Sequence, residues 1–159
     1  MEILKMTELM LLVIYGAIND IKEKKIPNEI FYIGLASALI FDTVLMPVSW
    51  QYIVLKAVCI VGLFFFGMLR LMGIGDIKLW MVLTAYWGIT RSSAIICAAS
   101  ILLIVTKFIT DKETRSLIFL SVHQIAGRQK LKIMEQKSYA FAPYIAVPTI
   151  IICIYEMVQ

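Results

Sequence analysis

Two aspartates stand at the ends of apolar stretches, where carboxylates are unusual. Asp20 closes the first apolar stretch of the chain, and Asp76 comes directly before the fourth. Carboxylates in an apolar environment are costly, and those that are kept there are usually paired or functional. Two carboxylates that lie close together cannot both ionise easily, so the pair shares a proton. Such a pair can hydrolyse a peptide, because the ionised member takes a proton from water while the protonated member polarises the attacked carbonyl.

Each aspartate also has a structural interpretation. Asp76 could cap the N-terminus of a helix, and Asp20 could be a helix-end residue in a solvated turn. Taken singly, each structural interpretation is favoured, but the matched positions of the two residues favour a catalytic pair. No GxSxG, no HExxH and no recognisable Cys–His arrangement offers a competing hydrolytic set. We therefore predict that Asp20 and Asp76 are catalytic.

The residues ahead of Asp76 suit an approaching peptide. Gly73 and Gly75 stand on either side of Ile74, immediately before the aspartate. Glycine adopts backbone angles that other residues avoid and lets a second backbone come close. A substrate peptide could lie extended beside Asp76, although glycines are also common in plain turns between helices.

The composition indicates where these carboxylates are held. Of the 159 residues, 61% are hydrophobic, and the mean hydropathy is +0.88. A soluble domain is usually about 45–50% apolar, and a core this small could not hide the excess from water. Lipid must therefore cover much of the surface, and the length allows a single domain over residues 1–159.

Six apolar stretches must position the aspartates. They cover residues 3–19, 29–46, 52–72, 77–88, 92–109 and 139–157. Continuous apolar stretches of this length predict helices, since a membrane-spanning chain must satisfy its backbone internally. A helix needs about 20 residues to cross the hydrocarbon, so the short fourth stretch must end within the membrane region or extend into a neighbouring turn. We expect an all-α polytopic membrane protein of about six transmembrane helices.

The basic residues predict the orientation in the bilayer. With the N-terminus outside, the inner segments are 20–28, 70–78 and 107–138, and they hold 12 of the 15 basic residues: Lys22, Lys24, Lys25, Arg70, Lys78, Lys107, Lys112, Arg115, Arg128, Lys130, Lys132 and Lys137. Lysine and arginine are enriched on the cytoplasmic side of membrane proteins. Both termini are therefore expected outside, with the Asp20 and Asp76 loops on the cytoplasmic side. This clustering accounts for the net charge of +4 without a nucleic-acid partner.

The other acids near apolar stretches have structural explanations. Glu8 is three residues from Lys5, a spacing that predicts a local helical pair. Asp42 and Lys56 flank the short turn at residues 47–51 at similar depth. We predict an ion pair between Asp42 and Lys56, or that both side chains reach the outer interface.

Little else in the chain suggests chemistry. Residues 110–138 mix apolar and basic side chains, which predicts a helix on the inner membrane surface, and His123 lies there as a surface residue. Cys59, Cys97 and Cys153 are scattered singly, so neither a zinc site nor a disulfide framework is indicated. We expect no metal and no cofactor.

Two segments resemble the type IV prepilin peptidase family, the GxGD-type membrane aspartyl proteases. The segment DIKEKKIPN, from Asp20 to Asn28, is similar to the family's aspartate followed six and seven residues later by Ile/Leu-Pro. The segment GIGDIK, from Gly73 to Lys78, is the family's GxGDxK in full. A weaker similarity is AFAPYIAVP, residues 140–148, which looks like the proline-containing segment of the family's last helix.

The resemblance implies a function and a set of site residues. Family members in prokaryotic cell membranes cleave the basic leader from prepilins or pseudopilins on the cytoplasmic side, just before the substrate's hydrophobic helix. Asp20 and Asp76 would be the catalytic pair, with Gly73, Gly75 and Lys78 completing the second motif. Lys78 would either stabilise the ionised pair or anchor the turn. The residues Ile26 to Asn28 have a scaffold interpretation, in which Asn28 caps the second helix.

The resemblance also has limits. The sequence has no counterpart of the two CxxC pairs of the larger bifunctional members, so cleavage without methylation is expected, as in peptidases of Flp/Tad-type pili. An ion-coupled transporter and a non-catalytic membrane scaffold are the alternatives. Broken helices with intramembrane acids also occur in transporters, although there the acids lie near the midplane. The sequence does not indicate an oligomeric state.

Overall fold

The computed structural model describes residues 1–45, 47–69, 72–110 and 140–158, and within these ranges all regular structure is helical. The helices are α1 (Glu2–Glu23), α2 (Asn28–Ile40), α3 (Trp50–Met68), α4 (Ile74–Trp87), α5 (Ile89–Thr110) and α6 (Ala142–Val158), and a π-helical turn (Phe41–Leu45) continues α2. The all-α prediction is confirmed for the described residues. His123 and the predicted surface helix beyond Thr110 lie outside them.

The sequence between the first two helices explains where one ends and the next begins. Lys24 follows the last residue of α1 in a left-handed conformation (φ 52°), and its N–H donates to the carbonyl oxygen of Asp20 at 3.0 Å. Pro27 is the N-cap of α2, a position where its missing N–H is no loss. As a result α1 runs four residues beyond the predicted apolar stretch, and Asp20 lies within its last turn.

Helix α4 is the centre of the molecule. It packs against the five other helices in the described ranges, and its residues from Met81 to Trp87 are all buried. Helix α2 approaches α4 closely at Gly34. A Cβ at this position would lie 2.7 Å from a methyl carbon of Val82 in α4. With 14 residues, α4 is only about 21 Å long. The predicted shortness of the fourth stretch is thus confirmed, and the helix begins three residues before it.

The outer helices present apolar surface to the surroundings. Three helical segments are long and apolar enough to cross a membrane: Asn28–Leu45, Trp50–Met68 and Ile89–Thr110. Helix α6 is apolar but shorter. In α3 only Lys56 and Leu63 are buried, while side chains such as Phe65 are more than half exposed. Exposing so much apolar surface to water is unfavourable, which fits a bundle surrounded by lipid.

Consecutive helices run in alternating directions between two ends of the bundle. One end carries the C-terminus of α1 and the N-termini of α2, α4 and α6, which meet around Asp20. The opposite end carries the N-termini of α1, α3 and α5 and the C-termini of α4 and α6. This arrangement brings both predicted catalytic motifs to one end.

Candidate active site

The first predicted catalytic residue is buried inside the bundle. Asp20 lies in the last turn of α1 and is 8% exposed, so the interpretation as a residue in a solvated turn is wrong. Its Oδ2 accepts a hydrogen bond of 3.0 Å from the backbone N–H of Ala142, the first residue of α6. Packing of α6 along α1 brings these residues together although 122 positions separate them.

The second predicted catalytic residue lies in the first turn of α4. Gly73 is the N-cap of this helix and Asp76 is its third residue, so the interpretation of Asp76 as the N-cap is wrong. The carboxylate of Asp76 folds back over the start of the helix. Its Oδ2 lies so near Gly73 that a Cβ on Gly73 would be 2.7 Å from it. A Cβ at position 73 would therefore displace the carboxylate from this place.

The two sequence motifs contact each other directly. A Cβ on Gly75 would lie 3.2 Å from side-chain carbons of Ile26, which is 6% exposed, so Gly75 and Ile26 are packed tightly. The Nζ of Lys78 donates a hydrogen bond of 2.5 Å to Oδ1 of Asn28. Asn28 is the first residue of α2 and makes no side-chain cap, so its predicted capping role is wrong. Its amide oxygen instead anchors Lys78.

Both motifs line one cleft of about 590 Å³. Its lining residues are Asp20, Glu23, Lys24, Lys25, Ile26, Pro27, Asn28, Gly73, Ile74, Gly75, Asp76 and Lys78. The cleft therefore contains all five predicted site residues: Asp20, Gly73, Gly75, Asp76 and Lys78. Ala142 was not among the predicted site residues, although it falls in the proline-containing segment at residues 140–148.

The environment of Asp76 changes its protonation. Asp76 lies on the loop side of the apolar stretch that begins at Ile77. Burial, and secondly the negative charge of Asp20, raise the pKa of the Asp76 carboxyl from 3.8 to about 7. Near neutral pH a large fraction of Asp76 is therefore protonated and can donate a proton. A buried carboxylate that accepts a backbone N–H, beside a carboxyl that keeps its proton, is a pair suited to acid–base hydrolysis.

A second polar cluster lies at the opposite end of the bundle. Oδ2 of Asp42 pairs with Nζ of Lys56 at 2.6 Å, so the predicted ion pair is confirmed. Oδ1 of Asp42 pairs with Nζ of Lys5 at 3.0 Å, so Lys5 does not serve the predicted local pair with Glu8. The physical reason is that α1 packs near the end of α2, where the buried carboxylate of Asp42 attracts Lys5, while the half-buried Glu8 lies beside Tyr86 of α4. This cluster borders a larger cavity of about 840 Å³, which shares no lining residue with the cleft.

Comparison with known proteins identifies the chain. The model of the type IV leader peptidase family matches residues 8–128, which contain both motifs and Asp20 and Asp76. No curated protein and no solved structure matches the chain. The family consists of membrane-embedded aspartic-type peptidases, in agreement with a bundle of apolar helices. Because the match covers more than half of the chain and confirms the resemblance found in its motifs, this protein belongs to the type IV leader peptidase family.

Proposed function

We propose that this protein is a membrane aspartic endopeptidase in which Asp20 and Asp76 are the catalytic pair, and that it removes the leader peptide of prepilin-like or pseudopilin precursors. The observation that carries the proposal is the cleft itself. Two motifs far apart in the sequence line it together, each contributes one carboxylate, and the charge of Asp20 contributes to raising the pKa of Asp76 to about 7.

The proposed reaction uses one ionised and one protonated carboxyl group. The ionised group takes a proton from water, and the resulting hydroxyl attacks the peptide carbonyl carbon. The protonated group donates to the carbonyl oxygen, which gives a tetrahedral diol. When the C–N bond breaks, the amine takes up a proton from the dyad while a diol hydroxyl returns one. Both carboxyl groups thereby recover their starting states, and one water is consumed for each bond cleaved.

The proposed site of cleavage is the cytoplasmic face of the membrane. Lys24, Lys25 and Lys78 line the cleft, and Lys22 lies in the last turn of α1 at the same end of the bundle. Clustered lysines favour the cytoplasmic side. With six helices alternating in direction, this orientation would leave both termini outside, in a multi-pass protein of the prokaryotic cell membrane.

An apolar groove beside the cleft fits a substrate that is cut next to a hydrophobic helix. The groove has a volume of about 280 Å³ and lies between α2, α3 and α4, with lining side chains such as Phe31, Phe64 and Met81. Asn28, Ile74 and Lys78 border both the groove and the cleft. A prepilin could therefore place its leader in the cleft and its hydrophobic segment against the groove. We expect cleavage without methylation, and Flp/Tad-type precursors are the first candidates.

The experiment that tests this function is leader cleavage in membranes. The protein would be co-expressed with a candidate prepilin from the same genome, and cleavage followed as a mass shift, alongside Asp20→Asn, Asp76→Asn and the control Glu29→Gln. Glu29 is exposed in the first turn of α2 and does not line the cleft. The proposal expects cleavage by the wild type and the control, and none by either aspartate variant at equal membrane levels.

Other outcomes would contradict the proposal in distinct ways. Cleavage by one aspartate variant would show that the dyad is assigned wrongly. Absence of cleavage with several prepilins would favour a membrane scaffold, or a transporter if substrate flux is then detected.

A further inference from the structure

One buried polar contact of Asp20 has no part in the proposed reaction as described so far, namely its hydrogen bond with the start of α6. Asp20 is 8% exposed and Ala142 is fully buried, so the hydrogen bond from the Ala142 N–H to Oδ2 of Asp20 is shielded from water. A hydrogen bond to a charged group is stronger than one between neutral groups, and the positive end of a helix adds to it. The start of α6 therefore holds one oxygen of Asp20 in place.

The sequence of α6 limits this contact to a single donor. The second residue of the helix is Pro143, which has no N–H. The N–H groups of Tyr144 and Ile145 both donate to the carbonyl oxygen of Phe141, at 2.9 and 3.3 Å. Of the amides in the first turn, the Ala142 N–H alone is directed at Asp20. A carboxylate can accept about four hydrogen bonds, so Oδ1 of Asp20 is left available by this helix.

The two carboxyl groups of the cleft are therefore held differently. Within the part of the chain that the structure describes, no backbone N–H donates to the carboxylate of Asp76, which is also more exposed than Asp20. A fixed acceptor with one free oxygen suits a base that must take a proton from a water molecule in a defined place. A carboxyl without such a donor suits the group that carries the proton.

We propose that the backbone N–H of Ala142 is a positioning group for Asp20, which holds Oδ2 and leaves Oδ1 to accept the proton of the attacking water, so that Asp20 is the base of the dyad and Asp76 the acid. This inference rests on the proposed function. In the first step the water O–H bond breaks, its proton passes to Oδ1 of Asp20, and the oxygen bonds to the peptide carbon. The proton of Asp76 passes to the carbonyl oxygen.

The direct test replaces the backbone amide at position 142 by an ester, with lactic acid introduced in place of Ala142 by nonsense suppression. The side chain stays the same and the N–H is lost. The matched control is the corresponding ester at Val147, which lies on the exposed side of α6 and also loses one N–H. We expect kcat for leader cleavage to fall about 10- to 100-fold at position 142, with KM within about twofold of wild type, and kcat to be unchanged at position 147. Wild-type kcat for the ester at position 142 would overturn the proposal.

A second pair of variants keeps the proposal testable if the ester at position 142 does not fold. Pro143→Ala adds a donor next to Ala142, where it can occupy the free oxygen of Asp20. Pro148→Ala adds a donor in the middle of the same helix. We expect Pro143→Ala to lower kcat by roughly 2- to 10-fold without lowering the melting temperature, whereas Pro148→Ala leaves kcat unchanged. Equal kcat for the two variants would overturn the proposal.

The same assay separates this inference from the proposed function. Wild type and Asp20→Asn are measured in parallel. If wild type cleaves, Asp20→Asn does not, and the α6 variants behave as wild type, the peptidase function stands and the positioning role of Ala142 fails. If wild type cleaves no prepilin, the proposed function itself fails.

Discussion

Among the single residues, Asp76 is the one that we expect to set the pH range of leader cleavage. Its pKa is raised to about 7, first by burial and then by the charge of Asp20, so the group is protonated below pH 7 and ionised above it. The proposed acid is therefore present at low pH and lost as the pH rises. Because the proposed reaction needs one protonated and one ionised carboxyl group, the full profile should be a bell whose two apparent pKa values belong to the pair.

This gives a prediction for the alkaline side of the profile. Above pH 7, kcat/KM for leader cleavage should fall about tenfold for each pH unit, because the protonated fraction of Asp76 falls at that rate. Initial rates between pH 5 and 9 in nanodiscs would measure it, with thermal unfolding at each pH as the control for folding. A flat profile from pH 7 to 9, with chemistry shown to be rate-limiting, would contradict the assignment of Asp76 as the acid.

Lys78 lines the cleft and donates a hydrogen bond to Asn28. We predict that Lys78→Met and Asn28→Ala each lower kcat/KM by a similar factor of roughly 2 to 10, and that the double variant is no worse than either single one. The reason is that both substitutions remove the same hydrogen bond. The measurement is a double-mutant cycle on kcat/KM. Abolished cleavage in Lys78→Met beside wild-type rates in Asn28→Ala would show that Lys78 acts on the carboxylates directly.

The residues of the cleft differ in how far the sequence could predict them. Asp20, Gly73, Gly75, Asp76 and Lys78 have side chains whose type and spacing are visible in the chain, and all of them line the cleft. The contact with Ala142 could not be predicted in the same way. Its donor is a backbone N–H, which every residue except proline has, and its acceptor is 122 positions away.

At the scale of elements, the start of α4 shows how tightly the site is built. Gly73 caps the helix at the place where the Asp76 carboxylate folds back, and Gly75 packs on Ile26 before α2. The two helix starts therefore hold each other in position. At both glycines a neighbouring side chain lies close to the place that a Cβ would take, at 2.7 Å for Gly73 and 3.2 Å for Gly75.

Two glycine-to-alanine substitutions, one at the start of α4 and one in α3, test the role of Gly73. We predict that Gly73→Ala lowers kcat at least about tenfold, because a Cβ 2.7 Å from Oδ2 must displace the carboxylate by more than a reacting group tolerates. The matched control is Gly62→Ala in α3, where a Cβ meets nothing within 4 Å. This control should keep its kcat and gain up to about 1 kcal/mol in helix stability. Single-turnover cleavage and thermal unfolding would be measured for both, and wild-type kcat in Gly73→Ala would refute the explanation.

The helices themselves were largely visible in the sequence, but their ends were not. Each apolar stretch corresponds to a helix, since lipid-facing side chains leave a continuous apolar signal. The last turn of α1 was missed because it carries Asp20, Lys22 and Glu23, whose charges end the apolar pattern while the backbone remains helical. The π-helical turn at Phe41–Leu45 has no local signature either, since Asp42 is held there by Lys5 and Lys56 from other helices.

Over the whole molecule, Asp42 and the proposed catalytic acids lie at opposite ends of the bundle. Asp42 is 4% exposed and forms ion pairs with two lysines, and it does not line the cleft. This separation matches the sequence-based prediction that Asp42 is structural. The prediction came from the matched depth of Asp42 and Lys56 around one turn, but the recruitment of Lys5 depends on tertiary packing that no spacing rule describes.

The separation predicts a loss of stability without a loss of catalysis. Asp42→Asn should lower the free energy of unfolding by about 3–5 kcal/mol, because it leaves two lysines without their counter-charge, while kcat of the folded protein is unchanged. Arg91→Gln is the control at the same end, since its ion pair with Glu156 involves a side chain that is 64% exposed and should contribute at most about 1 kcal/mol. Thermal unfolding in detergent and kcat at low temperature would be compared. Lost catalysis in well-folded Asp42→Asn would show that the acids are assigned to the wrong roles.

The shortness of α4 has a consequence for the electrical insulation of the membrane. From Asp76 in the cleft to Tyr86 in the opposite cavity, α4 rises only about 15 Å, half of the roughly 30 Å of hydrocarbon that normally insulates a membrane. Leu79, Val82 and Leu83 lie between these points and are fully buried. If both cavities fill with water, the membrane voltage drops across this thin apolar layer. The side chains that pack the core of the protease must then also keep protons and ions from crossing the bilayer.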